Sequence, residues 1–486
     1  MQFYLHHYPN GIARILGVLL VVACCLYAAR WHNVRPKLPD TALARLDLDQ
    51  RTACSGIYMF GDTGSGKTTL LKEIVPELLT VDVGACFYSV KADAAEDALD
   101  ILKRINRPYK LFHVTSAKYN PLAFGLEQWS PTEVASQLTM ASEVLTANGS
   151  GKAEAFWEGV FQNAMVHSIT LISLAFEKPT LIQLYDFLTS VPKKADEYKT
   201  DEWKQKAFAY QVIMAAGRNA SETQRSDLAA ALNFFCDYIP AAGPKVSGAA
   251  ITQTANLLAP LTRGGIRQVV EGESNILPSD PSNGHVVVWD YPVLVHYQPA
   301  QLLQTLFKIQ MSRYILSTPP KRYTLQVTDE CHLLTHSRFD AEYQSVCRSA
   351  KAMTINASQH LSGLINSQPE GLRAEHSINA WIGNHATKVF TATSDTKTQD
   401  YIIDLCGERR ILMTGGGKTQ QIDPNSFDPL GVGGALSMHF QQQFRQNIER
   451  GHITGLRRGE NGIVDAVVYQ NGRTPPFRFT SIERTS

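Results

Sequence analysis

The run Gly61-Asp62-Thr63-Gly64-Ser65-Gly66-Lys67-Thr68 constrains this 486-residue chain more than any other feature, because it fills every position of the phosphate-binding pattern GxxxxGK[ST]. The apolar run Ile57-Tyr58-Met59-Phe60 enters it, and Thr69-Leu70-Leu71-Lys72-Glu73-Ile74 leaves it with helical character. Glycines at 61, 64 and 66 let the backbone curl so that successive N–H groups face an anion, where a Cβ would obstruct them. The helix opening near Lys67 adds the partial positive charge of its free N–H groups. In such a loop the lysine reaches the β- and γ-phosphates and the Thr68 hydroxyl ligates magnesium, so ATP with Mg is the expected ligand and residues 61–69 its cradle. The bland alternative is an ordinary glycine-rich turn; the strand before and the helix after argue against it.

A chain of this length can hold two or three domains with a substantial core. Its 46 basic and 45 acidic residues leave a formal charge of +1, so no global basicity announces a nucleic-acid binder. A channel or groove needs only local positive charge, which a balanced total can hide. Eight cysteines, at 24, 25, 54, 86, 236, 331, 347 and 406, form no CxxC pair and have no histidine at zinc spacing. That argues against disulfides and metal clusters and suits a reducing cytosol.

The N-terminus suggests a membrane. From Gly11 to Ala29 the chain reads GIARILGVLLVVACCLYAA, 19 residues that span roughly 28 Å as a helix, close to the ~30 Å of a bilayer core. Arg14, near one end, is the single charge and can snorkel. A cleaved signal peptide, with Ala28-Ala29 as a cleavage site, and a buried core helix are competing readings. Cleavage would export an ATPase to a compartment without ATP, so an uncleaved transmembrane anchor within residues 1–36 is favoured. Arg30, Arg35 and Lys37 follow the segment, which places the long C-terminal part in the cytoplasm.

Trp31 to Ser55 contains Pro36 and Pro39 without a sustained apolar period and reads as a linker or edge element. An α/β pattern follows: strands at 57–60, 83–88 and 110–114, with helices at 67–79 and 92–105 between them. This alternation predicts a mostly parallel sheet covered on both faces. After Asn120-Pro121-Leu122-Ala123-Phe124 the texture becomes helical. Past the breakers Asn148-Gly149-Ser150-Gly151, the positions Phe156, Val160, Phe161, Ala164, Met165, Ile169 and Ile172 make one buried stripe. Helical texture continues through 181–189, 202–217 and 221–238, so residues 129–245 are expected to form an all-α insertion. It would separate the two parts of the nucleotide-binding domain, 37–128 and 246–486. The second part resumes with a strand at 285–290, a helix at 299–317 and a strand from Tyr323 to Glu330.

That last strand ends in Asp329-Glu330, which suits the strand beside the phosphate loop: Asp329 accepts from magnesium-bound water or Thr68, and Glu330 polarises the attacking water. Paired acids at a strand end also occur as cap or solvent residues. His332 reads as a neighbour of the site rather than a participant. Met353 to Ala357 suits a further strand, leaving Ser358 and Gln359 at its C-terminal edge, where parallel sheets bind ligands. Gln359 can then hydrogen-bond the γ-phosphate or the water; a plain loop amide is the alternative. Arg348, ahead of that strand, could serve a neighbouring subunit's nucleotide as an arginine finger, or simply be a solvated surface residue.

These features together resemble the type IV coupling proteins of bacterial conjugation, within the FtsK/HerA group of ring ATPases. The resemblance rests on the N-terminal membrane segment, GDTGSGKTT at 61–69, FYSVKADAAEDAL at 87–99, NPLAF at 120–124 and the helix from Ala153 to Ile172 with Phe156-Trp157. It continues through VTDE at 327–330, CRSAKAMTINASQ at 347–359, the strand at 388–392 and the helix from Asp395 to Cys406 before Gly407. It implies a RecA-like domain and a homo-hexameric motor that pumps DNA, usually one strand with a relaxase attached, toward a type IV secretion channel. Nucleotide would lie between subunits, which fits the role suggested for Arg348. Many relatives carry two membrane helices around a small periplasmic part, whereas this chain offers one.

No Lys/Arg stripe marks a DNA surface. Lys193, Lys194, Lys204, Lys206, Arg218, Arg225, Arg263 and Arg267 are candidate contacts, each of which taken singly reads as part of a solvated face. A secretion ATPase acting on protein substrates, and a nucleotide-gated scaffold that moves nothing, remain alternatives to a membrane-anchored DNA translocase.

Overall fold

Short strands, most of them buried on both faces and the edge strand Lys110–His113 only half-buried, build the sheet. In the computed structural model, which describes residues 41–146, 155–192, 194–368, 371–420 and 434–483, they form β1 (Ile57–Phe60), β2 (Gly84–Tyr88), β3 (Lys110–His113), β4 (Val286–Asp290), β5 (Thr324–Thr328), β6 (Ala352–Ser358) and β7 (Thr387–Phe390). Continuous burial of IYMF in β1 and of VVVW in β4 is what parallel strands under helices require. Two units divide the chain, Met1–Asp47 and Leu48–Ser486. Within the first, the helix Ala42–Arg45 is capped by the Thr41 hydroxyl. Everything that follows concerns the second. The proposed membrane segment, 11–29, lies outside the described residues. Among those described, no helix is long and apolar enough to cross a membrane.

The strand order is β11-β10-β7-β1-β6-β5-β2-β4-β3, where β10 (Ile463–Gln470) and β11 (Phe477–Glu483) are antiparallel additions to seven parallel strands. This corrects one expectation. The strand ending in Asp329-Glu330 is not beside β1, because β6 lies between them, with Ile57 opposite Ile355 on one side and Val327 opposite Ile355 on the other. Strands buried on both faces read alike in sequence, so composition does not specify their order. The consequence is functional: Gln359, immediately after β6, falls between the phosphate loop and the acids.

Helices α1 (Lys67–Leu78) and α2 (Ala94–Arg104) connect the first strands. Between β3 and β4 the described residues form a series of helices, the first α-helix Pro121–Gln128 and the last Gly264–Glu271, so helices also flank the span 129–245 read from sequence texture. Val160, Phe161, Ala164, Met165, Ile169 and Ile172, on the helix Ala155–Ala175, are buried as their spacing requires. The helix expected over 202–217 is split at Ala207, whose extended backbone (ψ 127°) ends Asp201–Lys206 before Phe208–Asn219 begins. Beyond Gly407 the sequence carried no reading. There a long antiparallel hairpin, β8 (Glu408–Gln420) with β9 (Gly434–Gln446), precedes β10.

Beneath β1 and β7, His385 is fully buried, edge-on to Tyr58 and Trp381 at 5.2 and 5.4 Å. Its Nδ1 donates to the Trp381 carbonyl at 2.8 Å and Nε2 lies 3.1 Å from the Asn356 amide nitrogen. Burial pushes the imidazole down to about 3. Between that value and the ordinary 6.5, the unfolded chain takes up a proton that the folded one refuses, so this stability is complete above pH 6.5 and is lost as pH falls toward 3. We expect a loss on the order of 2 kcal/mol between pH 7 and pH 5 from this residue. Urea unfolding at the two pH values should show a smaller loss in His385→Gln than in the wild type. Equal losses would refute the assignment.

Candidate functional site

The loop hangs from both neighbours of its own strand. Gly61 N–H donates to the Gln359 carbonyl (3.2 Å) and Asp62 N–H to the Ala392 carbonyl (2.9 Å), so its entry is tied to the chain leaving β6 and β7. Gly64 (φ 74°) and Gly66 (φ 93°) adopt left-handed backbone that a Cβ would strain. A Cβ on Gly61 would lie 1.8 Å from Thr391 Oγ1, and one on Gly66 2.5 Å from Val464. Ser65 is buried and shares a 2.7 Å hydrogen bond with Thr391, while Thr63 is exposed at the rim and Thr68 and Thr69 are half-buried. Leu70 N–H makes the first helical bond, to Gly66, so the N–H groups of Lys67, Thr68 and Thr69 precede the ladder and remain for an anion. Buried Lys67 donates to the Gly61 and Asp62 carbonyls. Burial lowers its pKa, with Glu330 and Asp329 opposing the change.

The acids lie across Gln359. Glu330 turns out of the strand in a left-handed conformation (φ 53°, ψ 47°), held by its N–H on Asp329 Oδ1 at 3.0 Å. Its side chain is 2% exposed. Oε1 accepts from Lys91 Nζ at 2.7 Å and from Gln359 Nε2 at 3.1 Å. Oε2 is buried and accepts no hydrogen bond, with His332 Nδ1 3.6 Å away. Burial alone would raise the Glu330 carboxyl, but Lys91, Gln359 and Lys67 together hold it below its ordinary value. Asp329 behaves oppositely: burial keeps it above the usual range despite Lys91 and Lys67. Burial lowers His332, which is therefore neutral at pH 7 and a neighbour of the acids.

Thus the structure brings Lys67, Thr68, Asp329, Glu330 and Gln359 to one end of the sheet. It does not bring Arg348 there. That residue is exposed on the turn before β6, a strand length of roughly 20 Å from the loop. Lys91 was not foreseen. Its signal was its position directly after Ser89-Val90, just beyond the end of β2, a strand that turns out to adjoin β5. Of the basic candidates in the helical segment, Lys204, Lys206 and Arg267 pair with Asp201, Glu202 and Glu271 on their own helices. Lys194, Arg218, Arg225 and Arg263 are exposed, and Lys193 lies outside the described residues.

No family model matches the chain, and no curated protein does. Solved structures do. The bacterial conjugative coupling protein TrwB, lacking its first 70 residues and bound to sulphate, superposes with a TM-score of 0.59 over 94% of this chain and 92% of that one at 14% identity. TrwB with ADP and Mg2+ gives 0.58 over the same shares at 14% identity. TrwB with a non-hydrolysable ATP analogue gives 0.58, again at 14% identity, over 94% and 91%. The chain has the coupling-protein fold. In that fold, here, the phosphate loop, the paired acids and the glutamine between them arise from β1, β5 and β6 at one edge of a single sheet.

Proposed function

We propose that this chain is the ATPase of a type IV secretion or conjugation apparatus, a coupling protein held at the bacterial inner membrane that moves DNA, with its attached relaxase, toward the secretion channel. The observation that carries the enzymatic reading is Glu330: one oxygen is fixed by Lys91 and Gln359, and the other is buried, ionised and without a partner. A carboxylate in that state is ready to accept a proton. ATP is the substrate and Mg the cofactor. The donor set fits a hard cation: the Thr68 hydroxyl and the Asp329 carboxylate, whose Oδ1 is occupied by a backbone N–H. Magnesium, when bound, offsets charge on the phosphates. Lys67 and the free N–H groups of Lys67, Thr68 and Thr69, within the cradle formed by 61–69, bind the phosphate chain, Gln359 orients water, and Glu330 Oε2 takes its proton as the water oxygen attacks phosphorus and ADP leaves. Arg348, remote from its own loop, acts in trans on the next subunit's nucleotide in a homo-hexameric ring.

The nucleotide-binding domain would comprise 37–128 and 246–486 around the helical insertion 129–245, with 1–36 as the anchor. Fold likeness to a conjugative coupling protein supports DNA as cargo, and the exposed Lys194, Arg218, Arg225 and Arg263 are the first residues to test as contacts. The purified 486-residue chain in detergent should hydrolyse ATP several-fold faster with single- or double-stranded DNA, and the DNA affinity should fall steeply between 50 and 200 mM salt, on the order of tenfold or more for a few phosphate contacts. A rate unchanged by any DNA would favour protein cargo instead.

A further inference from the structure

On the far flank of the loop from the acids, two adjacent arginines are treated differently. Arg457 is fully engaged: Nε and Nη2 grip Asp465 at 2.7 and 2.8 Å, and Nη2 also reaches Ser481 at 3.2 Å. Arg458 points to the other side and meets the phosphate loop, where its Nη2 lies 3.5 Å from Asp62 Oδ2. That is one long contact for a group with five donors. Asp62 does not need it, because Thr393 Oγ1, Ser394 N–H and Ser394 Oγ already hold its carboxylate at 3.0, 3.0 and 2.9 Å.

The backbone keeps Arg458 there. It bridges to Val464, whose side chain packs against the space a Gly66 Cβ would fill. The turn after it is tight, with Gly459, Asn461 and Gly462 all at positive φ (103°, 57° and 76°) and with N–H groups of 459 and 462 bonded to the carbonyls of 463 and 459. A preorganised, 40% exposed guanidinium at the mouth of an anion cradle has a clear partner class.

We infer that Arg458 is a nucleotide contact in cis, binding the part of the nucleotide that is not transferred: the α- and β-phosphates or the ribose. The assignment of part follows from the flanks. Glu330 and Gln359 mark the reacting end on the β6 and β5 side, whereas Arg458 comes from the β7 and β10 side. It therefore grips ADP and ATP alike and contributes uniform binding, which changes KM rather than kcat.

This rests on the ATPase reading, and the experiment separates the two. Fluorescent ADP and a non-hydrolysable ATP analogue are titrated with Mg into the full chain, alongside steady-state kinetics. Arg458→Ala should weaken both nucleotides roughly ten- to a hundredfold and raise KM to match, with kcat within about twofold; Arg458→Lys should recover part of the affinity. Arg457→Ala, in the same turn, should bind both nucleotides as the wild type does. Unchanged affinity in Arg458→Ala, a fall in kcat at constant KM, or an equal loss in Arg457→Ala would each overturn the assignment. Wild-type nucleotide binding by Lys67→Ala would instead sink the ATPase reading itself.

Discussion

Glu330→Gln should turn over ATP roughly a thousandfold more slowly than the wild type while binding it within a few-fold of normal, because a general base contributes about 10² to 10⁴ in rate and little to ground-state binding. The amide is nearly isosteric and can still accept from Lys91 and Gln359 at Oε1, so the 2.7 and 3.1 Å contacts survive. What disappears is the proton acceptor at Oε2, the buried oxygen that has no partner. Lys67→Ala should differ in kind: turnover falls to background and affinity falls with it, since the ammonium that lies among the loop carbonyls is a binding group. Rapid-quench measurement of a single turnover, beside nucleotide titration, distinguishes the two. A Glu330→Gln variant that retains more than about a tenth of the wild-type rate would remove this residue from the role of base.

Half of this site could be read from the chain, and the reason is local chemistry. Gly61 to Thr68 is legible because the phosphate cradle is built from consecutive residues, and Asp329-Glu330 and Gln359 because each ends a buried apolar run. Lys91, Arg458 and the order of the strands are not local. Lys91 meets Glu330 only because β2 adjoins β5, although 239 residues separate the pair. Arg458 reaches Asp62 only because β10 returns antiparallel beside β7, past a hairpin whose glycine- and glutamine-rich strands carry little apolar alternation. Likewise the placement of Arg348 follows from direction: a parallel strand carries Gln359 to the ligand edge and leaves Arg348 at the opposite one, away from its own chain's loop; the role its sequence suggests is service to a neighbouring subunit's nucleotide. A strand's direction, invisible in its composition, decides which of its flanking residues meets the nucleotide.

Lys91→Met should then do more damage than its half-exposed position suggests. In the native protein burial drives the Glu330 carboxyl upward, and Lys91 is the largest influence pulling it back below its ordinary value. Without the ammonium, burial prevails and Glu330 becomes protonated at a higher pH. A protonated base cannot accept the water proton, so kcat at pH 7 should fall roughly ten- to a hundredfold and recover as pH is raised, with the acid limb of the pH–rate profile displaced upward. Lys91→Arg keeps the charge and should leave the limb near its native position. The alternative, in which Lys91 merely packs, predicts a rate loss that is the same at pH 6 and pH 9. Asp329 sharpens the test: its Oδ2 lies 3.6 Å from the same ammonium, so losing Lys91 also raises an acid that burial already holds above the usual range. Magnesium affinity in Lys91→Met should therefore weaken as pH falls, more steeply than in the wild type, and that second readout follows only if the lysine acts through charge.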